Sequence, residues 1–160
     1  MEKYYYIYNT VIGDLIIIEN SRAIVEINSS RDIEGFEKKE TALIKWAHLE
    51  LEEYFKGKRK IFTFPIRMYG TLFQERVWKE LQNIPYGETR SYKYIGEQIE
   101  NPKGARAVGM ANNKNKLLIV VPCHRVISAN GDLNGFAIGI NIKKILLELE
   151  AKNKETPSLE

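Results

Sequence analysis

The only cysteine of this chain lies in the segment Val121–Val126, whose sequence is VPCHRV. A single cysteine excludes an internal disulfide and any zinc site built from several cysteines, so apolar packing must stabilise the fold. The chain has 160 residues, of which 44% are hydrophobic and 28% are charged. That composition is typical of a globular protein with one good core or two small ones.

The sequence indicates neither a targeting segment nor a membrane span. Residues 1–6 lack the charged and then apolar order of a signal peptide, and no apolar stretch approaches the length that crosses a bilayer. An unpaired cysteine is also typical of a reducing compartment. We therefore predict a cytoplasmic protein with no membrane partner.

Cys123 is followed directly by His124, one of the two histidines of the chain. A thiolate is a far stronger nucleophile than a thiol, and a neighbouring imidazole can shift the thiol towards the thiolate. The apolar residues 117–121 are rich in β-branched side chains, and Pro122 has no N–H to donate. This pattern predicts a buried strand that ends just before Cys123. A lone cysteine is more often a small buried hydrophobic residue, but this neighbourhood favours a nucleophile.

Residues 1–68 are predicted to form a small α+β domain. Short β-prone runs are found at Tyr4–Tyr8, Leu15–Glu19 and Ala23–Ile27. Helical spacing of apolar residues follows from Ile44 to Phe55, with Gly57 as the residue after the helix. A last strand-like stretch, Ile61–Phe64, leads into a proline. His48 has no second ligand nearby, so we interpret it as a packing or surface residue and predict no metal site.

Residues 69–152 are predicted to form a second, mainly helical domain. Thr71 and Gln74 indicate a capping box, and Ser91 is placed to cap the next helix. A third helix from Lys103 to Asn113 would complete a helix-turn-helix, although such helix pairs are common. It would bury Ala105, Val108 and Ala111 or Asn112 and expose Arg106, Met110 and Asn113. A closing helix, capped by Asn141, would bury Ile142, Ile145, Leu146 and Leu149, and the polar residues 153–160 would form a disordered tail.

Basic residues are concentrated around the cysteine. Between residues 101 and 131 there is no acidic residue, whereas five are basic: Lys103, Arg106, Lys114, Lys116 and Arg125. Such a local excess favours a polyanionic partner such as a nucleic-acid backbone. A solvated basic surface is the alternative interpretation.

Four segments in order carry a specific resemblance: GTLFQERVWKEL from residue 70, SYKYIG from 91, RAVGMANNKN from 106 and VPCHRVI from 121. Together they resemble the methylated-DNA–protein-cysteine methyltransferases, also called O6-alkylguanine-DNA alkyltransferases. The resemblance extends from about Gly70 to Glu150. It implies an α+β fold with a ribonuclease-H-like N-terminal domain and a helical, winged-helix-like domain for DNA binding and alkyl transfer.

The resemblance implies DNA repair by one irreversible, stoichiometric transfer. An alkyl group would move from O6 of a flipped-out guanine, with O4 of thymine as a second candidate, to the sulfur of Cys123. His124 would act as the base through a water and Glu150 would orient it, although spacing alone favours a solvated glutamate. Tyr92 would donate a proton to the departing guanine, and Asn115 would brace the active-site loop.

The implied partner is double-stranded DNA containing O6-alkylguanine, bound by a monomer without metal or cofactor. Arg106 matches the arginine that enters the base stack in place of the flipped base. Further predicted DNA contacts are Tyr92, Lys103, Ala105, Ala107, Gly109, Met110, Asn113 and Arg125. The predicted substrate pocket consists of Pro122, Val126, Phe136, Ala137, Ile138 and Gly139.

The sequence departs from the family pattern at three positions. Lys116 stands where a proline is usual, and Phe136 and Ala137 stand where tyrosine and often serine occur, so the pocket lacks two hydroxyl groups. Two other functions compete: a lesion-binding relative without catalysis, and a winged-helix transcription regulator. Neither requires a cysteine beside a histidine, so Cys123 and His124 favour the alkyltransferase.

Overall fold

The computed structural model describes residues 2–100, 104–131 and 139–159. The chain forms two compact units. The N-terminal unit comprises Met1–Met68 together with Glu155–Glu160, and the C-terminal unit comprises Tyr69–Lys154. None of the helices within the described ranges is long and apolar enough to span a membrane.

The N-terminal unit is built from one sheet and one helix. Its strands are β1 (Lys3–Thr10), β2 (Gly13–Asn20), β3 (Ala23–Asn28) and the short β4 (Glu37–Lys38). They follow the order β3-β2-β1-β4, in which β4 is parallel to β1 and the other pairs are antiparallel. Helix α1 spans Ala42–Phe55. The three β-prone runs and the helical spacing are therefore confirmed.

Helix α1 begins and ends at residues with clear local signals. The backbone N–H of Ile44 donates to Thr41 Oγ1 at 3.1 Å, which caps the first turn. The chain leaves the helix through Gly57, whose φ of 74° lies in the left-handed region that favours glycine. Ile44, Leu51 and Tyr54 are buried on the side of the helix that packs on the sheet.

The strand expected at Ile61–Phe64 is absent, and this prediction is wrong. The N–H of Thr63, which a sheet ladder would need, donates instead to Glu50 Oε1 at 2.7 Å. Only the next residues reach the sheet: Ile24 N–H donates to Pro65 O at 2.9 Å, and Arg67 N–H donates to Ile24 O at 3.0 Å. The apolar side chains indicated burial, but the backbone hydrogen bonds are directed elsewhere.

The C-terminal tail also differs from the expectation of disorder. Leu159 N–H donates to Lys58 O at 2.8 Å, and Lys60 N–H donates to Ser158 Oγ at 2.9 Å. Residues 158 and 159 thus pair with the backbone that follows α1 in the N-terminal unit. Polar composition did not indicate this order, because backbone groups and one hydroxyl make the contacts.

The C-terminal unit contains four helices and a small parallel sheet within its described residues. The helices are α2 (Leu72–Leu81), α3 (Tyr92–Gln98), α4 (Gly104–Asn112) and α5 (Ile140–Lys152). Strand β5 (Arg90–Ser91) pairs with β6 (Val126–Ile127). Thr71 and Gln74 form the predicted capping box, and Ser91 Oγ accepts from Tyr94 N–H at 3.0 Å, so both caps are confirmed. Residues 101–103, between α3 and α4, lie outside the described residues.

The apolar segment 117–121 is buried but is not a strand. Val120 N–H donates to Leu118 O at 2.8 Å and Val121 N–H donates to Leu117 O at 2.9 Å, which makes the segment a series of turns. Ile119 has a φ of 73°, which an extended strand excludes. The strand prediction is wrong because an apolar run indicates burial without fixing the backbone conformation.

Helices α4 and α5 bury partly different residues from those predicted. On α4, Val108, Ala111 and Asn112 are buried as expected, whereas Ala105 is exposed. Helix α5 begins at Ile140 after Gly139, without the expected cap by Asn141. Its fully buried residues are Lys143, Leu146 and Glu150, whereas Ile145 is 43% exposed and Ile142 and Leu149 are half-buried. Two charged residues therefore occupy the inner face, where apolar residues were expected.

Candidate active site

Cys123 lies in a 3₁₀ turn, Cys123–Arg125, within the buried stretch 121–126 of the C-terminal unit. Its side chain is buried, and its N–H donates to Val121 O at 2.7 Å. Asn112 Nδ2 donates to the carbonyl of Cys123 at 3.3 Å, which links the turn to the end of α4. The thiol is therefore held on a backbone that hydrogen bonds fix on both sides.

Asn115 holds the loop that leads to this turn. Its Nδ2 donates to Val121 O at 2.8 Å, and its Oδ1 accepts from Leu117 N–H at 2.9 Å. One buried amide thus satisfies backbone groups at both ends of the 117–121 segment. These side-chain contacts replace the sheet ladder that the apolar residues led us to expect.

A buried cluster forms around the carboxylate of Glu150, whose side-chain partners include His124 and Arg125. His124 Nε2 lies 2.7 Å from Glu150 Oε2. Arg125 donates twice to the same carboxylate, from Nε to Oε1 at 2.8 Å and from Nη2 to Oε2 at 3.0 Å. Gly87 N–H adds a bond of 3.1 Å to Oε1, and Arg125 Nη1 donates to Ile84 O at 2.8 Å.

The charges of this cluster fix the protonation of the imidazole. Burial raises the pKa of Glu150, but the hydrogen bonds from His124 and Arg125 and the charge of Arg125 outweigh it and hold the pKa well below its usual range. Because the glutamate is ionised, His124 Nε2 carries the proton and donates it. Burial lowers the pKa of His124, so the ring is neutral. Its Nδ1, an acceptor in this tautomer, has no hydrogen-bond partner among the described residues.

Lys143 is a buried site residue that the sequence reasoning missed. Its Nζ donates to Val126 O at 2.6 Å and lies 5.9 Å from the centroid of the Tyr92 ring. Burial raises the pKa of the Cys123 thiol to about 11, while the Asn115 hydrogen bond and the charge of Lys143 act in the opposite direction. The available signal was spacing, because Lys143 lies seven residues before Glu150 and so shares its helix face.

Tyr92 opens helix α3 and is half-buried. Burial, followed by the charge of Cys123, raises the pKa of its hydroxyl, which is therefore protonated at neutral pH. Gly109 of α4 faces this ring, and a Cβ at that position would lie 3.8 Å from Tyr92 Cδ1. The two helices thus bring the tyrosine into electrostatic range of the thiol.

The predicted DNA contacts on α4, and Asn113 directly after it, are accessible. Arg106, Met110 and Asn113 are exposed, as the helical spacing predicts. Ala105 is exposed, and Ala107 and Gly109 are partly accessible. Lys103 lies outside the described residues.

Arg125, which the resemblance implied as a DNA contact, directs its side chain into the interior of the C-terminal unit. Its side chain is only 8% exposed and donates to Glu150 and to a backbone carbonyl. The count of basic residues around the cysteine did not reveal that this one pairs with a glutamate 25 residues away.

The predicted pocket is described only in part. Pro122 and Val126 are buried. Val126 N–H donates to Cys123 O, and Val126 O accepts from Lys143 Nζ. Gly139 precedes α5 with a φ of 102° and is exposed. Phe136, Ala137 and Ile138 lie outside the described residues. Across the described parts of the chain, no group of three or more His, Cys, Asp or Glu side chains could hold a metal ion.

Comparison with known proteins gives matches along both units. Residues 72–152 match the family described as 6-O-methylguanine DNA methyltransferase, DNA binding domain. Residues 3–68 match 6-O-methylguanine DNA methyltransferase, ribonuclease-like domain. These ranges agree with the two units of the structure and with the α+β fold that the resemblance implied.

The similarity to known proteins covers nearly the whole chain. A methylated-DNA–protein-cysteine methyltransferase of Methanosarcina acetivorans is 42% identical over 152 residues, covering 92% of this chain and 97% of that protein. A constitutive one of Bacillus subtilis is 43% identical over 157 residues, covering 92% and 95%. The crystal structure of Mycobacterium tuberculosis O6-methylguanine methyltransferase matches with a TM-score of 0.88 at 39% identity over 94% of each chain. Another describes Mycobacterium tuberculosis OGT in complex with DNA, with the same TM-score of 0.88 at 40% identity. This chain belongs to the 6-O-methylguanine DNA methyltransferase family.

Proposed function

We propose that the protein repairs DNA by moving an alkyl group from O6 of guanine to Sγ of Cys123. The observation that carries this proposal is a lone cysteine directly beside a buried histidine–glutamate pair. Its relatives are named for transfer to a protein cysteine, and this chain offers a single cysteine as the acceptor. The thioether that forms has no route back to a thiol, so each molecule acts once.

The cluster supplies a base for the thiol. With Nε2 hydrogen-bonded to Glu150, His124 presents Nδ1 as the acceptor for the thiol proton, which would pass through a water. Burial raises the pKa of Cys123 to about 11, so the thiol needs this base in order to react at neutral pH. The order cysteine, histidine, carboxylate follows the logic of a protease triad.

Bond making and proton transfers balance across the site. The sulfur–carbon bond forms as the bond from that carbon to O6 breaks, and the guanine ring takes a proton from the Tyr92 hydroxyl. The proton that His124 took from the thiol then returns through water to the Tyr92 tyrosinate, so that one proton in all passes from the thiol to the guanine. A neutral guanine is a much better leaving group than its anion. Burial raises the pKa of Tyr92, so its hydroxyl is protonated at neutral pH and gives up the proton only as negative charge develops on the departing guanine.

The reacting base must leave the DNA stack, because the thiol is buried. Helices α3 and α4 support binding of double-stranded DNA, with Arg106 on the exposed side of α4 to fill the space left by the flipped base. Lys114 and Lys116 are also exposed and supply phosphate contacts. The protein acts in this proposal as a monomer.

Neither a metal nor a cofactor enters the proposed reaction, because the protein itself accepts the alkyl group. The compartment that we propose is the cytoplasm. A reducing environment preserves the single thiol that the reaction consumes.

The test is intact-mass measurement after incubation with a duplex containing one O6-methylguanine. We expect the mass to rise by one methyl group and no further, and the unmethylated duplex to cause no change. Cys123→Ala should still bind DNA but gain no methyl group. Binding without a mass gain in the original protein would favour a lesion-binding protein or a transcription regulator, and a methyl gain by Cys123→Ala would reject the acceptor.

A further inference from the structure

We propose that Arg125 is a positioning residue for alkyl transfer: its guanidinium neutralises Glu150 and so keeps His124 an uncharged base. This inference rests on the proposed function. Arg125 does not need to touch DNA or the alkyl group for this role, since it acts through the glutamate.

The geometry shows a carboxylate shared between two partners. Arg125 donates to both oxygens of Glu150, at 2.8 and 3.0 Å, in the paired arrangement that a planar guanidinium favours. A third bond, to Ile84 O at 2.8 Å, fixes the guanidinium from the opposite side. The imidazole of His124 approaches the same carboxylate at 2.7 Å.

This sharing differs from a protease triad in its electrostatics. In a triad, the carboxylate stabilises the imidazolium that forms during the reaction. Here the charge of Glu150 is compensated by Arg125 inside a buried site, so the carboxylate favours the imidazolium less. The glutamate then mainly fixes the ring and its tautomer, and Nδ1 is free to take the thiol proton.

The charged groups around His124 act in opposite directions. Burial lowers the pKa of His124, the hydrogen bond and charge of Glu150 raise it, and the charges of Arg125 and Lys143 lower it further. Glu150 and Lys143 belong to α5, whereas Arg125 belongs to the turn of His124 itself. Tyr86 faces the guanidinium, with its ring centroid 5.7 Å away, and burial keeps its hydroxyl neutral by raising the pKa to about 12. Without Arg125 the balance shifts towards the imidazolium, which cannot accept a proton.

The first test is an NMR titration of Arg125→Gln, which does not depend on alkyl transfer. The chain has only two histidines, so His48 serves as an internal reference. We expect the titration midpoint of His124 to rise, because the uncompensated charge of Glu150 then favours the imidazolium, while that of His48 stays unchanged. An unchanged midpoint of His124 would overturn the proposal.

Glu150→Gln provides a second variant with the opposite sign. It removes the group that raises the pKa of His124 and leaves the charge of Arg125 in place. The midpoint of His124 should therefore fall further below the ordinary value. A midpoint that moves up towards about 6.5 would contradict the proposed role of Arg125 and indicate a loosened site.

The kinetic readout is the pH dependence of methyl transfer at a saturating concentration of methylated duplex. For Arg125→Gln we expect the acid limb to move up by about one pH unit, which makes the loss of rate about tenfold at low pH and small at high pH. Arg59→Gln is the matched control, since it removes a buried arginine paired with Glu50 and Glu53 in the N-terminal unit. An equal acid-limb shift in Arg59→Gln, or none in Arg125→Gln, would overturn the inference. Absence of transfer by the original protein would instead reject the proposed function.

Discussion

Each unit of this protein buries a glutamate beside an arginine, but only the cluster in the C-terminal unit contains a side chain that can accept a proton near neutral pH. In the N-terminal unit, Glu50 accepts from Thr63 N–H at 2.7 Å, from Trp46 Nε1 at 2.9 Å and from the Thr63 hydroxyl. Arg59 Nη1 lies 3.7 Å away. None of these partners is an imidazole, which can both accept and donate a proton near neutral pH, so the cluster serves to hold the fold together.

The C-terminal cluster contains one additional kind of group, a histidine. Glu150 accepts from a backbone N–H, as Glu50 does, and from an arginine, which approaches Glu50 only to 3.7 Å. Glu150 is also hydrogen-bonded to an imidazole whose second nitrogen has no protein partner among the described residues. That imidazole belongs to the residue next to the only cysteine. A buried ion pair is therefore weak evidence of function, whereas a titratable partner with an open nitrogen is strong evidence.

The largest expected effect is on the rate of methyl transfer, and it should differ between substitutions of the two glutamates. Glu150→Gln removes the charge that orients and supports His124, and we expect methyl transfer to slow by roughly 100-fold. Glu50→Gln should leave the rate unchanged and lower the free energy of unfolding by about 2 kcal/mol, because it removes the buried charge that accepts from Thr63 and Trp46 and leaves Arg59 with Glu53 as its carboxylate partner. Single-turnover kinetics and denaturant unfolding of both variants measure the contrast, and equal kinetic losses would erase it.

A second prediction separates exposed from buried arginine in the C-terminal unit. Arg106→Ala should slow repair of O6-methylguanine in a fully paired duplex by about tenfold, since flipping costs a few kcal/mol and the space left is no longer filled. Reaction with free O6-benzylguanine needs no flipping and should be unaffected. A matched loss on free base and duplex would mean that Arg106 shapes the pocket or the fold.

Lys143 should have a smaller effect, exerted on the thiol. Its charge lowers the pKa of Cys123, so Lys143→Met should raise that pKa above about 11 and slow transfer a few-fold at neutral pH. Thiol titration by ultraviolet absorbance measures the pKa, with exposed Lys144 of the same helix as the control position. A Cys123 pKa that is unchanged in Lys143→Met would remove this lysine from the site.

The smallest prediction concerns stability in acid. The pKa of His124 and that of Glu150 are both lowered in the folded protein, so the unfolded chain binds protons first as the pH falls. Their stabilising contribution is complete above about pH 6.5 for the histidine and about pH 4.5 for the glutamate, and it is lost below those values. In Glu150→Gln, the fall in the free energy of unfolding below about pH 4.5 should be smaller by on the order of 1 kcal/mol.

The two tryptophans allow that measurement to be made for each unit, because Trp46 lies in one and Trp78 in the other. Fluorescence of a Trp46→Phe protein then reports unfolding around Trp78. An unchanged acid slope in Glu150→Gln, followed through Trp78, would contradict the linkage.

Much of the fold could be predicted from sequence where local signals and periodicity agree. The strands at Tyr4–Tyr8 and Leu15–Glu19 depend on β-prone side chains between turn residues. The cap at Ser91 and the exposed face of Arg106 depend on short-range hydrogen bonds and helical spacing. These effects act within a few residues, so a single sequence contains them. The pair Cys123 and His124 was equally accessible, because the two residues are adjacent.

The features that were not predicted depend on contacts that a single sequence does not show, most of them between residues that are distant in the sequence. Residues 117–121 form turns because the Asn115 amide takes their backbone groups, which an apolar pattern cannot reveal. Arg125 was counted among the basic residues that could face DNA, although its side chain pairs with Glu150 on α5, 25 residues further along the chain. Lys143 was missed because a lysine within an apolar stripe is ordinarily solvated, and the carbonyl of Val126 that accepts from its Nζ lies 17 residues away in the sequence.

The most direct test of this account follows the methyl group itself. A duplex whose O6-methylguanine carries an isotopically labelled methyl group is incubated with the protein, and both products are then digested and sequenced by mass spectrometry. The account predicts one label per protein molecule, located on Cys123, and an unmodified guanine in the DNA. Label on any other residue, or repeated removal of methyl groups by an unmodified protein, would contradict it.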